Sequence, residues 1–188
     1  QGSMRDQRWS RANERSPQRR LRIGYVSADL REHAMAYFIE PILAGHDASA
    51  FEAVLYSNSR REDATTRRLR GHAAEWRSIQ GLSDADAAER VRRDGIDVLV
   101  DLSGHTEGNR LGMFAFKPAP VQLTCLGYPN TTGLAAMDYR LTDARADPPG
   151  SERWYCERLL RMPDSLWCYR PPADLPEVGE PPAKRNGY

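Results

Sequence analysis

Apolar positions in this chain fall into short unbroken runs separated by stretches with helical spacing. Residues 21–27 hold Leu21, Ile23, Tyr25 and Val26 and end in a polar cluster, as a buried strand entering a loop does. Residues 34–43 carry Met35, Phe38, Ile39 and Ile42 on one helical face, with Gly45 as the stop signal. A second strand is expected at 51–56, a charged helix at 63–72 and a weaker strand at 76–79. Ser83 caps a helix that runs through Arg93, and Gly95 closes it. The clearest strand follows at 96–102, β-branched, nearly continuous in apolar character, and bounded by Gly95 and Gly104. Another, at 121–126, is entered through the Pro118-Ala119-Pro120 turn. A short strand is expected near the sheet edge at 139–141, and one more at 159–162.

Strands that alternate with helices predict right-handed crossovers and a doubly wound, mostly parallel, Rossmann-like α/β sheet. Burial on both faces explains why the strands read as apolar runs rather than strict alternation. The segment from Pro171 onward contains Pro172, Pro176, Pro181 and Pro182 and cannot join a central sheet. The opening Gln1-Gly2-Ser3-Met4 reads as a cloning remnant, followed by a polar stretch without periodicity. The expected organisation is a remnant and flexible arm over 1–20, one α/β domain over 21–170, and a proline-rich linker over 171–188.

Composition narrows the partners. At 188 residues the chain suits one domain with a sizeable core. Its 27 basic and 26 acidic residues leave a formal charge of +1, too little field to hold a polyanion, so nucleic acid is not an expected partner. Basic clusters at 19–22 and 60–70 read as a solvated arm and a solvated helix face. Cys125, Cys156 and Cys168 form no CxxC pair and no metal-ligand spacing, which fits a reducing, cytoplasmic setting and predicts no metal site. No apolar run approaches the roughly 20 residues of a membrane span, and no signal-peptide core precedes Leu21, so no membrane partner is expected.

Open parallel sheets bind ligands outside the carboxyl ends of their strands. Three loops qualify: Ser27 to His33, Asp101-Leu-Ser-Gly104-His105-Thr106, and Gly127-Tyr128-Pro129-Asn130-Thr131-Thr132-Gly133. The first has no glycine between Tyr25 and Gly45, which excludes a dinucleotide fingerprint. P-loop and GxSxG patterns are absent as well. His33, near the start of the first crossover helix, suits proton transfer at neutral pH, with a capping or surface histidine as the plain alternative. Asp101, at the end of the strongest strand, must be hydrogen-bonded, paired or catalytic, because burying a bare carboxylate is expensive. His105 and Thr106 are candidate hydrogen-bonders, and Tyr128 can either stack on a sugar or act as a core lid.

These residues also resemble a known family. The run from Leu21 to Asp29 with His33, the segment from Asp94 to Thr106, Phe114 to Gln122, Leu126 to Gly133, Met137-Asp138-Tyr139 and Thr142-Asp143 together look like the amino-terminal catalytic half of O-linked N-acetylglucosamine transferases, including the plant SPINDLY type. The resemblance implies a GT-B enzyme that moves N-acetylglucosamine from UDP-N-acetylglucosamine to Ser or Thr of protein acceptors, with inversion, without an essential metal, and with the nucleotide sugar as substrate rather than cofactor. It implies tetratricopeptide repeats in the parent protein and a second Rossmann-like domain that binds UDP, so that this half alone is inert. The family's histidine matching His33 has been proposed as general base. Its loops matching Gly104, His105 and Thr106, and Gly127, Tyr128, Pro129 and Thr131, line the sugar side of the cleft. Two departures stand out: the family's His-Pro-Thr is His33-Ala34-Met35 here, and Asn130 replaces a glycine, at a turn where Asn tolerates a left-handed backbone. The first motivates one alternative, a non-catalytic binding module of the same fold; a transferase of another sugar is a second, since in the family the donor is read mainly by the other domain.

Overall fold

A computed structural model describes residues 13–187 apart from 15, 17, 173 and 174. Its strands are β1 (Leu21–Ser27), β2 (Phe51–Ser57), β3 (Glu75–Ser78), β4 (Val98–Asp101), β5 (Val121–Thr124), β6 (Tyr139–Asp143) and β7 (Arg158–Met162). All seven lie in one parallel sheet in the order β3-β2-β1-β4-β5-β6-β7. The helices are α1 (Ala36–Ala44), α2 (Ala64–Gly71), α3 (Asp84–Arg93), α4 (Leu111–Ala115) and α5 (Pro182–Asn186).

Side-chain alternation along the strands builds two cores, one on each face. Tyr25, Ala53, Leu55 and Val100 pack with Ile39 and Leu43 of α1 and Leu69 of α2. Val26, Val54, Tyr56 and Leu99 pack with Ala87 and Val91 of α3 and Met113 and Phe114 of α4. The central strands are apolar on both sides because helices cover both sides. Asp63 and Ser83, whose side chains accept the amides of Thr66 and Asp86, start α2 and α3, the second where the capping pattern places it.

Several boundaries differ from expectation. The strand expected near the edge at 139–141 is β6, second from the edge and two residues longer, and β7 takes the outer place by pairing with all five of its residues. Helix α4 has only five residues, too short for a periodic signal. The tail expected as a linker contains the single turn α5. Residues 1–12 of the expected arm lie outside the described residues. What is described of the rest is anchored: both Arg19 Nη atoms reach the Asp97 carboxylate at 2.7 and 2.6 Å, and Asn13 Nδ2 reaches it at 2.6 Å. Burial pushes the Asp97 carboxyl up, but Arg19, the Arg22 amide and Asn13 outweigh it and hold the group below its ordinary range. This brace sits at the amino ends of β1 and β4. After β7 the chain turns back over α1, where Leu166 enters the core and the Trp167 and Tyr169 rings stand 5.1 and 5.5 Å from Phe38.

Candidate functional site

Strand order reverses between β1 and β4, and the loops that leave β1, β4 and β5 open at the carboxyl ends of three adjacent strands. They touch. A Cβ on Gly108 would stand 2.7 Å from Ala28 Cβ, so the β4 loop runs against the β1 loop. Gly104 has a left-handed backbone, φ +56°, and a Cβ there would meet Tyr128 Cβ at 2.5 Å. Gly127 packs so closely that a Cβ would lie 2.3 Å from the Leu102 carbonyl oxygen. His105 and Tyr128 then meet edge to face, ring centroids 5.3 Å apart at 82°. The rim therefore presents His105, Gly127, Tyr128, Pro129 and Asn130, all exposed, around a floor of backbone.

Asp101 lies beneath this rim, 1% exposed. Its carboxylate accepts the Ser103 amide at 3.1 Å, the Gly104 amide at 2.9 Å and the Thr124 hydroxyl at 2.7 Å. Burial pushes its carboxyl above the ordinary range, against the pull of those three donors and of His105. The group joins the β4 turn to β5 and holds Gly104 in place. Thr106 closes the turn by donating its hydroxyl to the Ser103 carbonyl at 2.9 Å. Ser103 Oγ is buried without a hydrogen-bond partner among the described residues.

His33 is on the β1 loop with its side chain 42% exposed. Its Nδ1 accepts the Met35 amide at 3.2 Å, whereas Asp29 Oδ2 stands at 3.9 Å. The amide needs a lone pair on Nδ1 and the carboxylate would need a proton there. The shorter contact decides in favour of the lone pair, so a neutral ring carries its proton on Nε2. The polar contacts of His33 stay within its own loop. That loop is tied to α2 by Asp63, which accepts the Glu32 amide at 2.7 Å, and by the Thr66 hydroxyl on the Leu30 carbonyl at 3.0 Å.

Two charged residues were missed by sequence reasoning, and both underlie the β5 loop. Arg140 on β6, 3% exposed, donates through Nη1 to the carbonyls of Tyr128 at 3.0 Å and Asn130 at 3.1 Å. Glu157, 4% exposed, accepts the Thr132 amide at 2.7 Å, the Thr131 hydroxyl at 2.7 Å and the Thr132 hydroxyl. Burial pushes its carboxyl up, but the Thr132 and Thr131 donors outweigh that and leave it below the ordinary range. Asn130 does not use the left-handed backbone that it tolerates. The strained residue is Leu126 at φ +66°, and Asn130 instead accepts the Thr131 amide on its own Oδ1 at 2.8 Å.

Among the described residues no group of three or more His, Cys, Asp or Glu is placed to hold a metal ion, and no helix is long and apolar enough to cross a membrane. Cys125 is buried, which pushes its thiol up to about 12. The profile of glycosyl transferase family 41 matches residues 4–169. The probable UDP-N-acetylglucosamine–peptide N-acetylglucosaminyltransferase SPINDLY of Petunia hybrida is 44% identical over 180 residues, 94% of this chain and 19% of that protein. The UDP-N-acetylglucosamine–peptide N-acetylglucosaminyltransferase of Caenorhabditis elegans is 35% identical over 150 residues, 79% of this chain and 13% of that protein. A mutant O-GlcNAc transferase of Thermobaculum terrenum superposes with a TM-score of 0.84 at 51% identity, covering 87% of this chain and 32% of that one. The chain thus spans about a fifth of the length of its curated plant relatives and a third of that structure.

Proposed function

This chain belongs to glycosyl transferase family 41, and from that premise we propose that it forms the acceptor-side wall of a cleft in a longer protein that transfers N-acetylglucosamine from UDP-N-acetylglucosamine to Ser or Thr of peptides. The observation that carries the reading is the meeting of the β1, β4 and β5 loops at the point where strand order reverses. The activities for which the plant and nematode relatives are named supply the reaction class.

In this reading the acceptor oxygen attacks the anomeric carbon, the bond to UDP breaks, and the acceptor proton leaves. Gly104, His105, Thr106, Gly127, Tyr128, Pro129 and Thr131 form the sugar-side surface, with the His105–Tyr128 corner as the aromatic face against which a pyranose packs. Asp101 acts as a positioning residue, since its three accepted hydrogen bonds are spent on the β4 turn and on Thr124 of β5. His33 presents Nε2–H as a donor, which suits orienting an oxygen. To serve as base it must first release the Met35 amide from Nδ1. The uridine diphosphate is held by residues outside this chain, and tetratricopeptide repeats of the parent protein collect its substrates.

The test uses the full-length protein with UDP-N-acetylglucosamine and a Ser/Thr peptide, read by the mass of one added N-acetylhexosamine. His33→Ala should reduce transfer sharply, and wild-type turnover there dismisses the role. No product with this donor, but product with another nucleotide sugar, overturns the donor assignment. The isolated chain should give no transfer and no calorimetric signal with UDP, and micromolar UDP affinity would refute its placement elsewhere.

A further inference from the structure

Charged side chains are rarely buried this deeply unless they are paired or hydrogen-bonded. Arg140 and Glu157, at 3% and 4% exposure, make no ion pair with each other. Each instead spends its hydrogen bonds on the same exposed loop. Arg140 takes the carbonyls of Tyr128 and Asn130, and Glu157 takes the amide of Thr132 and the hydroxyls of Thr131 and Thr132. Cation on carbonyls and anion on donors is the complementary pairing, and it acts on residues of a single turn. Both groups are fixed from below. Arg140 faces Asp147 at 3.5 Å and lies 5.6 Å from the Tyr155 ring centroid, while Tyr155 donates its hydroxyl to Asp147 at 2.6 Å. Glu157 enters β7, whose five residues pair with β6.

We infer that Arg140 and Glu157 are a two-charge clamp that positions the Gly127–Gly133 loop for the donor sugar. The inference rests on the proposed reading of that loop as the sugar-side wall, and it assigns the loop's geometry to two residues that touch no substrate. If the loop moves, Glu157 loses its three donors while buried and Arg140 keeps only Asp147, so the loop is held to one conformation before any sugar arrives. Preorganisation of this kind shows in sugar binding and turnover, since a displacement on the order of 1 Å in a positioning loop can cost a hundredfold in rate. Binding of the nucleotide alone does not depend on it.

Arg140→Met, Glu157→Gln and Tyr128→Ala in the full-length protein separate the possibilities. For the first two, kcat/KM for UDP-N-acetylglucosamine should fall about tenfold or more, while the Kd for UDP stays at its wild-type value. Tyr128→Ala probes the loop directly and should also impair transfer. If Tyr128→Ala is impaired and both clamp variants keep wild-type kcat/KM, the clamp is overturned and the sugar-side reading survives. If all three turn over like wild type, the sugar-side reading itself falls. Equal loss of UDP and of sugar-nucleotide binding marks a purely structural role and overturns the clamp. Should Arg140→Met fail to fold, Thr131→Val decides: it removes one Glu157 donor at constant volume, and unchanged kcat/KM there counts against the proposal.

Discussion

Replacing Gly104 with Ala tests whether the β4 and β5 loops meet as described. Two costs follow from the geometry. At φ +56° an L side chain is in the left-handed region, which costs about 1–2 kcal/mol. The new methyl would also sit 2.5 Å from Tyr128 Cβ and 3.5 Å from Tyr128 Cα, and relieving such overpacking costs about 1–3 kcal/mol. The sum is about 2–5 kcal/mol, which in a chain of this size lowers the melting temperature by roughly 5–15 °C. Gly95→Ala is the internal control, with φ +63° and nothing within 4 Å of the added methyl, so it carries the backbone cost alone. Adding Tyr128→Gly to Gly104→Ala removes the contacted Cβ and should return about 1–3 kcal/mol as a coupling energy. The assay is urea unfolding of the single and double variants. Equal losses for Gly104→Ala and Gly95→Ala would show that the two loops do not touch, and the site would lose its floor.

Further outcomes follow from the charged and sulfur groups. Because the folded Asp97 carboxyl titrates below its ordinary 3.8, its contribution to stability is present above that pH and is lost as pH falls through the folded value. Asp97→Asn should therefore melt lower than wild type at neutral pH, with the gap closing in acid, and a gap that persists in acid contradicts the Arg19 brace. Cys156 and Cys168 are exposed and Cys125 is buried with its thiol pushed up to about 12, so a thiol reagent should modify two sites in the native protein and the third only in denaturant. Rapid loss of all three thiols would contradict the packing of β5.

Local pattern revealed the elements, because burial on two faces leaves apolar runs and capping residues mark helix starts wherever they occur. Leu21–Ser27 and Val98–Asp101 were legible for that reason, as was Ser83 as a cap. The loops after the strands were legible as candidate binding segments, since strand ends in a parallel sheet are where ligands go. Adjacency was not legible. Nothing in the run 139–141 says that Arg158–Met162 will pair outside it.

Arg140, on a short strand, and Glu157, just before one, carry no sequence signal of burial, and only the fold buries them against a loop 10 to 12 and 25 to 26 residues away in sequence. The occupied nitrogen of His33 and the position of backbone strain at Leu126 rather than Asn130 belong to the same class. Periodicity records how much of each residue is covered, and so the chain alone determined the seven strands and the three longer helices, though not the five-residue α4 and α5. Which groups do the covering depends on contacts between distant segments, whose partners are chosen only when the sheet closes, and that choice was left to the tertiary structure.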